Sequence, residues 1–169
     1  KKVGKIMKYY IKQKIFSLKD KFYVRDFEQN DLYMVKGKMF SISNKLDLLD
    51  LDEEVLLSAQ KKIITFLPKY TIFSKNGEEL AVVKRLFGFR PKFSVTLGHQ
   101  ELEVQGTFFA HDFTVTKDNQ EVASITKKLF AFGDSYEIDI HDEANQLLYM
   151  FIVIIIDQII HESKKRNNA

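Results

Sequence analysis

The hydrophobic pattern of this chain changes character once. Through most of its length apolar and polar residues alternate at the period of two that puts one strand face in a core and the other in water. Ile11–Phe16 alternates in this way, and Lys21–Phe27 and Leu32–Phe40 follow as strands, the last with Gly37 as an expected bulge or bend. Further short strands are expected near Glu54–Lys61, Tyr70–Ser74, Leu80–Arg85, Lys92–Leu97, Leu102–Phe109, Thr114–Lys117, Val122–Lys127 and Tyr136–Ile140. Turn-forming residues punctuate them around Lys19-Asp20 and at Glu28–Asp31, Lys75–Glu78, Leu97–His99, Lys117–Gln120 and Phe132–Asp134. Strands spaced about 8–12 residues apart with such turns predict an antiparallel barrel or sandwich.

The alternation stops at Leu147. Leu147–Ile156 is ten unbroken apolar residues, followed by Asp157, Gln158, Ile159 and Ile160. Its Val and Ile favour strand by propensity, but the 14 residues of Leu147–Ile160 are long for a strand. As a helix the stretch covers about 21 Å, short of the roughly 20 apolar residues and 30 Å that a membrane span needs. Asp142 and Asn145 are N-cap candidates, and Lys164, Lys165 and Arg166 suit a helix C-terminus. A helix over about Asn145–Glu162, apolar on nearly every side, belongs in a core. Leu147, Phe151, Ile154, Ile155 and Asp157 are its expected structural residues. Asp157 is a carboxylate in an apolar rod, expected at the barrel rim capping strand-end amides or paired with a lysine.

The chain also repeats itself. Lys61–Ile72, Lys84–Val95 and Lys127–Ile138 share two cations, two apolar residues, a Phe two positions later and then an aromatic strand. Val35-x-Gly37-x-x-Phe40 matches Val104-x-Gly106-x-x-Phe109, and Leu56-x-Ser58-x-x-Lys-Lys62 matches Val122-x-Ser124-x-x-Lys-Lys128. These offsets predict a single domain over residues 7–169 made of two related halves, about 35–103 and 104–169, with 1–6 as an upstream extension.

Composition narrows the chemistry. With 169 residues, 45% hydrophobic and 29% charged, the chain can bury a substantial core. There is no cysteine, which excludes disulfides, thiolate catalysis and Cys-based zinc sites. The four histidines show no metal-ligand spacing, and neither a Gly-rich phosphate loop nor a nucleophile elbow is present, so a non-enzyme without cofactor is expected. An enzyme would have to be built around His111-Asp112 or Asp157.

Net charge is only +3, but it is unevenly spread. Residues 1–25 hold nine Lys/Arg against one acid, whereas Asp47–Glu54, expected as an acidic turn, holds five acids and no base. Lys8, Lys12, Lys14 and Arg25 could sit against anionic lipid or nucleic acid, and otherwise read as an edge strand protected by cations. Nucleic acid is not an expected partner, since no recognised binding motif is present. Lys84, Arg85, Arg90 and Lys92, interleaved with Phe87, Phe89 and Phe93, form the best candidate for an anionic lipid headgroup or membrane surface. Their bland reading is outward solubilising charge on strands.

Ile11–Phe16, Tyr33–Phe40, the Lys-Lys and Lys-Arg repeats and the tail Leu147–Gln158, in this order and spacing, resemble the LURP-one-related family, including its small bacterial members. That family looks like the tubby C-terminal domain and the phospholipid scramblases. The resemblance implies a mainly β fold, a roughly twelve-stranded antiparallel barrel around a central hydrophobic C-terminal helix. Its phospholipid associations are a fold-level analogy and map onto no residue of this chain. The expectation is a cytoplasmic monomer, peripheral at the membrane if its basic faces bind lipid. The alternative is a structural or protein-interaction module with no small-molecule ligand.

Overall fold

The computed structural model describes residues 4–12, 21–37, 45–64, 67–107, 112–131 and 133–168, apart from the side chains of 63, 64 and 164–166. The first six strands are β1 (Met7–Lys12), β2 (Lys21–Arg25), β3 (Asp31–Gly37), β4 (Lys45–Leu49), β5 (Val55–Ile64) and β6 (Leu67–Ser74). They are followed by β7 (Glu79–Leu86), β8 (Lys92–Leu97), β9 (Gln100–Thr107), β10 (Asp112–Lys117), β11 (Gln120–Phe130) and β12 (Gly133–Ile140), and by one helix, α1 (Gln146–Asn167). Each strand pairs antiparallel with its neighbours in sequence, and β1 pairs with β12 to close the barrel. The barrel around a C-terminal helix is thus the expected one.

Two-residue periodicity builds the wall. In β8, Phe93 and Val95 point inward and are buried, while Lys92 is exposed. The hairpin between β10 and β11 turns on Asp118 and Asn119, both at positive φ (49° and 60°), the paired conformation whose twist matches the strands it joins. Gly77 (φ 82°) and Gly98 (φ 55°) serve the predicted turns at Lys75–Glu78 and Leu97–His99.

Three expectations are corrected. Asp47 lies inside β4, opposite Ser58, so the acidic turn is confined to 50–54. β4 itself was hidden because its pattern, Leu46, Leu48 and Leu49 around Asp47, runs directly into that acidic cluster. Gly37 makes no bulge; it pairs in register with Leu46, and an added Cβ would sit 2.4 Å from the Lys45 carbonyl oxygen. Gly106, six strands on in β9, meets the same constraint, 2.3 Å from the Asp112 carbonyl. Finally, β1 is not an edge: it pairs with both β12 and β2. The expected turn at Lys19-Asp20 lies outside the described residues, as does His111 of the His111-Asp112 pairing, while Asp112 opens β10.

The helix runs through the barrel. Tyr149 to Ile156, with Ile159 and Ile160, are buried all round, as are inward wall residues such as Val24, Val35, Leu48, Ile72, Val83 and Val115. Only a helix suits this place. A strand isolated from the wall would leave its N–H and C=O groups buried and unpaired, whereas a helix bonds its own backbone. At its start the Asn145 carbonyl accepts from the Tyr149 N–H (3.0 Å), and Asp142 Oδ1 accepts from the Asn145 N–H (3.2 Å). Asn145 therefore holds the N-cap position and Asp142 braces it. By length and composition α1 could cross a membrane, but 78% of its Gln146–Ser163 window is buried within the barrel, which makes it a core helix.

Candidate functional site at the far end of the barrel

Helix α1 begins at the barrel's near end, where β12 finishes, and ends at the far end, where β5, β7 and β11 finish. All three Lys-rich repeats are hairpins of that far end: β5–β6, β7–β8 and β11–β12. Each sets one cation opposite an aromatic ring, in the cross-strand pairs Lys61↔Tyr70, Arg85↔Phe93 and Lys127↔Tyr136. Lys61 and Arg85 turn inward to α1, whereas Lys127 is exposed and bridges Asp134 at 3.6 Å. In the first and third hairpins it is the first cation of the repeat that stands opposite the ring. In β7–β8 the register is offset by one, so Arg85 takes that place and Lys84 faces out.

Inside this end lies a polar cluster around the last turns of α1. Lys61 Nζ donates to Glu162 Oε2 at 2.7 Å, with both side chains buried, and the Tyr70 hydroxyl donates to Glu162 Oε1 at 3.3 Å. Burial, and then the Glu162 carboxylate, push the Tyr70 phenol far above its ordinary value. Arg85 donates to the Ser163 hydroxyl. On the other side Asp157, fully buried, lies 3.6 Å from His161 Nε2, and the Tyr136 ring packs edge-on to His161. Burial, with the Asp157 charge second, raises the Tyr136 phenol strongly. Asp157 thus sits beside a helix neighbour inside the barrel, while the buried lysine, Lys61, goes to Glu162. Sequence reading passed over Glu162, His161, Tyr70 and Tyr136. The available signal was the i,i+4 spacing of Asp157 with His161 and of Gln158 with Glu162, which marks a polar stripe on the end of an apolar helix.

Outside, the register aligns what the sequence keeps apart. Lys62 is directly opposite Lys69, and Lys69 directly opposite Lys84, so three outward lysines form a row across β5, β6 and β7. Neighbouring strands are about 4.8 Å apart, and like charges directly opposite destabilise a sheet. Among the described residues none of the three forms an ion pair. The β7–β8 tip stands beside the row, with Leu86 42%, Phe87 91% and Phe89 108% exposed and Arg90 and Lys92 also exposed. The four residues expected to act together are therefore split. Lys84, Arg90 and Lys92 face solvent; Arg85 points inward to α1; Lys62 and Lys69 join the outward set. Phe93, expected to interleave with the cluster, is buried in the core at 7% exposure. Of the helix residues singled out, Phe151, Ile154 and Ile155 are fully buried and Leu147 packs against the core at its rim, while Asp157 is fully buried beside His161 rather than at the rim with a lysine or strand-end amides.

The near end has the opposite sign. Its turns carry Asp50, Asp52, Glu53, Glu54, Asp118 and Asp142. The barrel is therefore electrically polar along its axis, acidic where α1 starts and basic where it ends. Of the N-terminal cations, Lys12, the last residue of β1, and Lys21, the first of β2, lie at the basic far end, whereas Lys8 and Arg25 lie toward the near end and are paired. Lys8 bridges Glu137 and Asp139 at 3.2 and 2.9 Å, and Arg25 pairs with Asp31. Lys14 lies outside the described residues. Among the described residues no three His, Asp or Glu side chains converge as a metal site.

Known proteins agree with this architecture. The chain is 28% identical over 155 residues to the uncharacterised protein YxjI of Bacillus subtilis, covering 92% of this chain and 94% of that protein. Its fold matches the X-ray structure of an Arabidopsis thaliana protein with a TM-score of 0.69 at 20% identity, over 93% of each chain. The family model described as LURP-one-related matches residues 7–157, and the chain belongs to that family.

Proposed function

We propose that this protein is a non-enzymatic, cytoplasmic barrel that binds anionic membrane surfaces through its far end. The observation that carries the reading is the row Lys62, Lys69 and Lys84, held side by side and, among the described residues, without an ion pair to offset it. Three cations in register cost folding energy, and a lipid phosphate or carboxylate supplies the missing counter-charge. Arg90 and Lys92 on the adjacent tip extend the same surface, and Arg offers a bidentate grip on phosphate. The acidic near end orients the molecule in the field of an anionic surface. Closure of the barrel leaves no open strand edge between β1 and β12, which supports a monomer.

The test is co-sedimentation with phosphatidylcholine vesicles, with and without phosphatidylserine, at low and physiological salt. Binding is expected only to the anionic vesicles, and Lys62→Ala/Lys69→Ala/Lys84→Ala should weaken it by about 1 kcal/mol per lysine. The same variant should be no less stable than wild type, because it relieves repulsion. Loss of stability without change in binding would make the row a structural feature and turn the search to protein partners.

A further inference from the structure

The lysine row and the exposed aromatics lie at different heights on the barrel. Lys84 is two residues short of the end of β7, so the row sits roughly 7 Å back from the strand end at about 3.3 Å per residue. Beyond it the chain projects Phe87 and Phe89, at 91% and 108% exposure, separated by Gly88 and followed by Arg90. Two large aromatic rings fully in water are a cost that no contact among the described residues offsets. Cations set back from apolar side chains by such a distance match a bilayer interface, where apolar groups sink about 5–10 Å while charges stay at the headgroups.

Resting on the membrane-surface reading above, we infer that the barrel docks tip-first, with Phe87 and Phe89 seated in the acyl layer beneath the headgroups and Lys62, Lys69 and Lys84 at headgroup level. The acidic turns at the near end then point away from the bilayer, and α1 ends facing it. The occupant is a lipid bilayer rather than a soluble phosphate, because a free anion would satisfy the lysines and leave both rings in water.

The chain has no Trp, so single tryptophans report without background. Phe89→Trp and Phe87→Trp are compared with Leu51→Trp, which sits at 53% exposure in the acidic turn at the opposite end. On vesicles containing phosphatidylserine, the Trp emission at 89 and 87 should shift to the blue and be quenched by lipids brominated on their acyl chains, while that at 51 should not change. Phe87→Ala/Phe89→Ala should lower vesicle affinity about tenfold or more, and should remove whatever binding survives in high salt. Both positions are exposed, so the fold is not at stake. Vesicle binding with no quenching at 87 or 89 would overturn tip-first insertion and leave an electrostatic surface contact. Quenching at 51 instead would reverse the orientation. No sedimentation with anionic vesicles would overturn the membrane reading itself, and this inference with it.

Discussion

Lys61 and Glu162 are 101 positions apart in the chain and 2.7 Å apart in the barrel. Both are buried, so each charge depends on the other to offset its lost hydration. Lys61→Met or Glu162→Met alone should therefore cost about 3–5 kcal/mol, because either leaves a buried charge without its partner. The double variant Lys61→Met/Glu162→Met should recover most of that loss, since a hydrophobic pair of similar volume is tolerated there. A double-mutant cycle measured by urea unfolding reads the coupling directly. Strictly additive losses would mean that the two groups do not hold one another. At this scale the sequence announced little. Lys61 read as one more cation of a repeat and Glu162 as the end of a helix, because nothing local ties a residue of β5 to the last turns of α1.

At the scale of the element, β1 is fastened to β12 by six register pairs and by the Lys8–Glu137–Asp139 cluster on the outer face. The hydrogen bond to Asp139 raises Lys8 above its ordinary 10.5, against the opposing effect of burial. Burial pushes Glu137 up, but hydrogen bonds from the Tyr10 hydroxyl and Lys8 outweigh it, and Glu137 ends below its ordinary 4.5. The signs fix the pH window. A lowered carboxylate stabilises the fold above its unfolded value and loses that contribution as pH falls through the folded one. A raised lysine stabilises below its unfolded value and loses it as pH rises through the folded one. Lys8→Met should thus be less stable than wild type by about 0.2–1 kcal/mol on the plateau between the two, with the gap closing in strong acid and strong alkali. Denaturant unfolding of both proteins across pH measures it. A gap unchanged in strong acid would assign the loss to the lysine's aliphatic stem.

The helix itself was legible as an element but not from propensity. Its Ile- and Val-rich composition favours strand, and its length and terminal residues favoured helix. The barrel interior decides the matter, since a rod with no neighbouring strand must satisfy its own backbone. The helix runs on to Asn167, five residues past the expected Glu162, with Lys164, Lys165 and Arg166 in its last turns. β4 was missed for the converse reason. Five residues beside an acidic turn carry too little alternation to stand out, and its neighbours β3 and β5 define it by pairing.

For the molecule as a whole, closure matters most. Helix α1 is threaded through a wall whose strands all pair on both sides, so its central amides exchange with solvent only if the barrel opens. Hydrogen exchange should therefore give Phe151–Ile156 protection equal to the global unfolding free energy, while the turns at 26–30 and 50–54 exchange far faster. Protection of α1 well below the global value would show that the helix leaves the barrel without unfolding it. The axial separation of charge belongs to this scale as well. It is invisible in a net charge of +3, because alternate turns of an up-and-down barrel deliver their residues to opposite ends.

The sequence by itself determined the strand-rich wall, most of its turns, the buried C-terminal helix and the family, because these follow from local periodicity and from the order of motifs along the chain. The tertiary structure alone decided which repeat cations face inward, that Lys62, Lys69 and Lys84 stand in one row, and that Glu162 closes on Lys61. The physical reason is register: a shift of one residue between paired strands reverses the face of every side chain, and register is set by the closed ladder as a whole.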